Sequence, residues 1–179
     1  MNYQKITSPD INNGTGCRVT LWVSGCPNRC PGCHNSETWD RMSGIKFDDE
    51  AFSKLFELLE KSYIKGLTLS GGEPLDLNDS DKLLTILNIL KKFRDRFGYS
   101  EEKDVWIFTG NSLVSDLNEN ETAREILKYV DYVVDGRYDE SQRDTSLAFR
   151  GSRNQIIWKK DIYRGSFYPD EKLMGTDRQ

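Results

Sequence analysis

Cys17-Arg18-Val19-Thr20-Leu21-Trp22-Val23-Ser24-Gly25-Cys26-Pro27-Asn28-Arg29-Cys30-Pro31-Gly32-Cys33-His34-Asn35 joins two patterns in one stretch of chain. Residues 17–23 are rich in β-branched and aromatic types, alternate loosely, and predict a strand. The strand runs into a loop whose cysteines follow a C-x3-C-x2-C spacing, so three thiols stand at its C-terminal end. Three thiolates leave one coordination position of a metal centre open, whereas structural zinc closes all four and ordinary iron–sulfur clusters take four cysteines. The loop therefore predicts a metal centre that binds and reacts with a small molecule. Cys17 is read as a small buried residue of the strand, the alternative being a fourth ligand that completes a zinc site.

The same grammar recurs downstream. Lys65 to Ser70 predicts a strand that runs into Gly71-Gly72-Glu73-Pro74, and Val105 to Thr109 a third that ends at Gly110. Asp131 to Asp135 and Gln155 to Lys159 supply a fourth and a fifth. Between them lie helices. One opens at Asp48 as N-cap, with Phe47 and Phe52 at hydrophobic-staple spacing and Ala51, Phe52, Leu55, Phe56 and Leu59 on one face. Another covers about Asp79 to Phe97 and stops at Gly98, and residues 112–130 read as an interrupted helix. Strands alternating with helices imply an α/β fold with about five to six mostly parallel strands in one domain, 1–179, ending in a polar tail near 170–179 expected to be mobile. Ligands of such sheets gather at the strands' carboxyl ends, which here carry the cysteines, the glycine loop and Thr109-Gly110.

Composition narrows the function. With 36% hydrophobic and 30% charged residues the chain is of globular type, and no apolar run reaches the roughly 18 residues of a membrane span. Met1-Asn2-Tyr3-Gln4-Lys5 begins no secretory leader, so a cytoplasmic protein without a membrane partner is expected. A net charge of -4 argues against nucleic acid as a partner. Arg143, Arg150, Arg153, Lys159, Lys160 and Arg164 form a basic stretch, read as a solvated face, with docking to an acidic partner as the sharper alternative.

The cysteine loop after a first strand, with Gly71-Gly72-Glu73-Pro74 after the next, resembles the radical S-adenosylmethionine (SAM) enzymes. The run Gly25 to Asn35 is similar, within them, to the anaerobic ribonucleoside-triphosphate reductase-activating proteins. So are Ile11-Asn12-Asn13-Gly14, Phe108-Thr109-Gly110, Val134-Asp135-Gly136-Arg137-Tyr138 and Arg150-Gly151-Ser152-Arg153-Asn154-Gln155, in order and approximate spacing. Gly32 departs from the aromatic residue of many radical SAM enzymes, though the activating proteins share Pro-Gly there. His34 stands where the subgroup commonly has tyrosine.

The resemblance implies an open, partial (βα) barrel of the radical SAM type. It implies that Cys26, Cys30 and Cys33 hold a [4Fe-4S] cluster, and that Gly32, Cys33, His34, Gly71, Gly72, Glu73 and Thr109 contact SAM bound to its fourth iron. Asn154 and Gln155 are expected either to touch SAM or to shape the entrance. The implied reaction is reductive cleavage of SAM to a 5'-deoxyadenosyl radical, which takes a hydrogen atom from a glycine on a loop of the reductase's large subunit. A donor such as flavodoxin would supply the electron. Two rival functions are a small radical SAM enzyme acting on a metabolite, like the carboxy-deazaguanine synthases, and a non-catalytic zinc-binding adaptor.

Overall fold

A computed structural model describes residues 1–100 and 102–175. The strands are β1 (Asn2–Asp10), β2 (Arg18–Val23), β3 (Ile45–Lys46), β4 (Gly66–Gly71), β5 (Asp104–Phe108), β6 (Tyr132–Asp135), β7 (Ile156–Lys160) and β8 (Phe167–Pro169). The helices are α1 (Asp49–Leu59), α2 (Ser80–Phe97), α3 (Asp116–Glu119), α4 (Glu121–Leu127) and α5 (Glu171–Met174). All eight strands form one sheet in the order β3-β1-β2-β4-β5-β6-β7-β8.

The expected count of five to six mostly parallel strands is corrected by this sheet. β2, β4, β5 and β6 are parallel neighbours, but the other four pairings are antiparallel. A parallel return needs a crossover that carries the chain back to the strand's starting end. Between β6 and β7 there is only a loop with a short 3-10 turn at Glu140–Gln142, so β7 starts where β6 stops and runs the other way. β1 escapes sequence reading because Asn2-Tyr3-Gln4-Lys5-Ile6-Thr7-Ser8-Pro9-Asp10 is mostly polar, and its pairing with β2 is broken twice by register shifts. In the expected tail, Glu171–Met174 forms a helical turn whose Leu173 and Met174 pack on the sheet; residues 176–179 lie outside the described residues.

Local signals explain the helices. Asp48 accepts from Ala51 N–H at 3.0 Å and Phe47 meets Phe52 at 6.3 Å between ring centroids, as the staple predicts. Asp79 caps α2 through Lys82 N–H at 3.1 Å, and Gly98 closes it at φ 67° with a bond back to Arg94. Residues of α1, α2 and α4 pack on one face of the sheet, where Val19, Leu21, Val23, Leu67, Leu69, Val105, Ile107 and Val133 are buried. No helix among the described residues is long and apolar enough to cross a membrane.

The other face takes the alternate residues and is more polar: Arg18, Thr20, Trp22, Thr68, Ser70, Trp106 and Phe108. Arg18 is fully buried at the N-terminal end of the parallel strands. It pairs with Asp104 at 2.6 Å, donates to Thr68 at 2.7 Å and lies 5.6 Å from the Trp106 ring. Burial pushes the guanidinium pKa down, and Asp104 opposes this. Arg18→Met strands that carboxylate, and an unfolding midpoint shift worth about 3–5 kcal/mol is expected in chemical denaturation. Its iron content should match the unsubstituted protein, because the strand places Arg18 about 17 Å from the loop end of β2.

Candidate functional site

The four parallel strands end on the same side, and each end carries a glycine: Gly25 after β2, Gly71-Gly72 after β4, Gly110 after β5 and Gly136 after β6. The cysteine loop is held from below and from the side. Gly25 N–H donates to Thr38 O at 2.7 Å, Cys26 N–H to Trp39 O at 3.1 Å, and Cys33 N–H turns back to Cys30 O at 3.1 Å. Arg29 (φ 45°) and Gly32 (φ 70°) take the left-handed turns that bring the three cysteines around one loop.

All three thiols are free and half-buried. Backbone N–H groups point at them: Asn28 and Arg29 at Cys26, Tyr138 at Cys30, and Asn35 at Cys33 Sγ at 3.4 Å. Burial pushes the Cys26 and Cys30 thiols up, and these hydrogen bonds pull the other way. Such a donor set suits thiolates that an iron–sulfur cluster would ionise, since cluster potentials are tuned by hydrogen bonds to sulfur. Among the described residues no three His, Cys, Asp or Glu side chains close in on a single-ion site. A cluster needs no such convergence, because each of its irons takes one thiolate.

Cys17 lies just below β2, where its carbonyl accepts from Lys65 N–H at 2.6 Å. The six steps from Cys17 to Val23 span about 20 Å, so a four-cysteine zinc site does not assemble. Cys17 packs partly buried against the main core, as a small strand residue should.

Glu73 joins the loops. Its side chain is buried, and its carboxylate accepts from Asn28 Nδ2 at 3.0 Å, Gly110 N–H at 2.7 Å, Thr109 Oγ1 at 2.7 Å and Leu75 N–H at 3.0 Å. Its backbone N–H donates to Gly25 O at 2.9 Å. Burial pushes this carboxyl's pKa up, opposed by the Thr109, Gly110 and Leu75 donors and the Lys82 charge. Both oxygens are thus taken by the protein, and Thr109 is buried against Glu73 with Asn111 N–H on its hydroxyl at 3.1 Å.

The glycines serve contact between loops. A Cβ on Gly72 would stand 2.6 Å from Gly25 O, and one on Gly110 would stand 2.4 Å from Asn28 Nδ2. Gly71 combines φ 99° with a Cβ position 2.9 Å from the Trp22 backbone. Gly72→Ala must push the cysteine loop away, and a loss of about 1–3 kcal/mol is expected in thermal or chemical unfolding.

A cavity of about 680 Å³ opens beside Cys33 and His34 and runs onto the polar sheet face past Trp22, Ser70, Phe108 and Gln155. Gly71, Gly72, Glu73 and Thr109 do not line it. His34 is exposed, its ring 6.1 Å from that of Tyr138. Asn154 donates to Arg137 O at 2.8 Å and Gln155 to Gly136 O at 3.0 Å, so the late motif pins the segment that presents Tyr138 N–H to Cys30. Glu140 also belongs to this side, since a Cβ on Gly32 would stand 2.7 Å from its Oε1. Three members of the basic stretch are engaged within the fold: Arg150 binds the Gln155 and Met174 carbonyls, Arg153 pairs with Asp144, and Lys160 binds the carbonyls of Leu127 and Lys128.

Three thiols stand on a glycine-braced loop at the carboxyl ends of parallel strands, and residues 12–158 match the family model of the 4Fe-4S single cluster domain, which places the chain among iron–sulfur proteins. Three curated relatives narrow this further, each named anaerobic ribonucleoside-triphosphate reductase-activating protein. The protein of Enterobacteria phage T4 is 41% identical over 158 residues, 88% of this chain and 94% of the relative. That of Pasteurella multocida is 38% identical over 165 residues (91% and 100%), and that of Escherichia coli K12 is 36% identical over 159 (88% and 97%). The chain belongs to this family of activating proteins.

Proposed function

We propose that the protein is a radical SAM activase of an anaerobic ribonucleoside-triphosphate reductase, built on an open, partial (βα) barrel. The carrying observation is the joining of the cysteine loop to the glycine loop through Asn28, Gly25 and Glu73, beside the cavity at Cys33 and His34. The relatives' names and the cluster-domain match support the same reading.

Cys26, Cys30 and Cys33 would hold a [4Fe-4S] cluster, which supplies one electron to the sulfonium of SAM. Cys33 and His34 line the cavity and, with the neighbouring Gly32, would present backbone groups to SAM, as would the Gly71-Gly72 backbone. Glu73 and Thr109, whose polar atoms are engaged with each other and with neighbouring loops, act by holding those backbones in place. Water exclusion falls to the aromatic floor at Trp22 and Phe108. The partner would offer a glycine-bearing loop, and a flavodoxin-like protein would deliver the electron.

The test uses anaerobically reconstituted protein, reduced and given SAM. 5'-Deoxyadenosine should appear, and with the reductase of the same organism a glycyl radical doublet should grow in the paramagnetic resonance spectrum. SAM cleavage without that doublet would favour a metabolite substrate. Absence of cleavage under both conditions would end the radical SAM reading.

A further inference from the structure

We infer that Lys82 is a positioning residue that clamps the cysteine loop to the glycine loop and so sets where SAM stands relative to the thiols; this rests on the function proposed above. Lys82 sits in the first turn of α2, and its side chain is 1% exposed. Its ammonium donates to Gly25 O at 2.8 Å and to Glu73 O at 3.1 Å. The remaining direction faces Asp76, itself buried, at 3.7 Å, and the exposed Arg41 stands 3.7 Å from the same carboxylate.

A buried ammonium is a poor device for stability alone, since an apolar side chain of similar length would pack there without desolvation cost. Burial does push the Lys82 pKa down, opposed in turn by Asp76, Asp79, Glu73 and Cys26. What the ammonium does that a methyl group would not is hold two carbonyls at once. Those carbonyls belong to the residue before Cys26 and the residue after Gly72. The first is bonded directly to Cys26 N, and the second lies on the residue that follows Gly72.

The surroundings leave little slack. Gly25 has φ 87°, and a Cβ there would stand 3.0 Å from Lys82 Nζ on one side and 3.0 Å from Arg41 Cβ on the other. Without the ammonium Glu73 O loses this donor, while Gly25 O keeps the Glu73 N–H. The Asn28–Glu73 and Gly110–Glu73 bonds do not involve Lys82, so the loops would stay assembled with altered spacing.

Lys82→Met and Lys82→Arg, reconstituted as full chains, provide the test. Iron and sulfide per chain are measured first, then SAM is titrated against the paramagnetic spectrum of the reduced cluster. K82M should hold as much iron as the unsubstituted protein yet bind SAM at least about tenfold more weakly, the scale of one lost charge-assisted hydrogen bond. K82R, which keeps the donors, should stay within about threefold. Unchanged SAM affinity in K82M overturns the clamp, as does loss of iron in both variants in proportion to lost SAM binding. If K82M does not fold, Lys82→Gln decides in the same titration: a tenfold loss supports the clamp and wild-type affinity overturns it. A wild-type spectrum that ignores SAM overturns the function reading and this inference with it; a responsive wild type beside an equally responsive K82M overturns this inference alone.

Discussion

Cys26→Ala, Cys30→Ala and Cys33→Ala each lose the bound iron and acid-labile sulfide after anaerobic reconstitution, while Cys17→Ala keeps both. The expected loss is nearly complete, because a cluster held by three thiolates has no spare protein ligand. Cys17 cannot substitute, being anchored beside Lys65 about 20 Å of strand away. Fold stability before reconstitution should hardly change, since the three loop thiols are only half-buried and make no core packing. Iron and sulfide analysis with visible absorption checks this. Equal loss in Cys17→Ala would sink the three-ligand assignment.

Glu73→Ala carries the second large effect. It removes the acceptor for four donors from three separate segments, Asn28, Leu75, Thr109 and Gly110, and a destabilisation of about 3–5 kcal/mol is expected in chemical denaturation. Iron uptake should fall with it, because Asn28 lies between Cys26 and Cys30, the first two of the proposed ligands. Glu73→Gln is the sharper probe. An amide keeps one acceptor but turns an NH2 group toward two of those donors, so about 2 kcal/mol should still be lost. Wild-type stability in Glu73→Gln would mean that the carboxyl is protonated in the fold, the direction in which burial pushes it.

These two positions differ in how visible they are from sequence. The cysteine triplet announces itself, because ligand spacing on one loop is a local property. Glu73 stands out only as part of a glycine motif, and its natural reading there is ligand contact. The structure turns it inward, 45 residues from Asn28 and 36 from Thr109. Gly72 and Gly110 carry the same lesson: a glycine beside a candidate site suggests room for a ligand, whereas a Cβ here meets another loop of the protein. Lys82 was legible only as one residue of an amphipathic helix, and nothing in a periodic pattern marks a lysine that turns in rather than out.

The chain's local order was therefore set by residues close in sequence. Short strand-forming runs that end in turn residues marked β2, β4, β5 and β6, side-chain caps and staples marked α1 and α2, and the thiol spacing marked the proposed metal loop, since each depends on neighbours within a few positions. Tertiary structure alone decided the antiparallel flanks, the idle place of Cys17 at the far end of β2, and the inward duty of Glu73 and Lys82. Those outcomes depend on which strand ends share a side of the sheet and on carbonyls tens of residues apart that need a donor, and no local pattern encodes such distances.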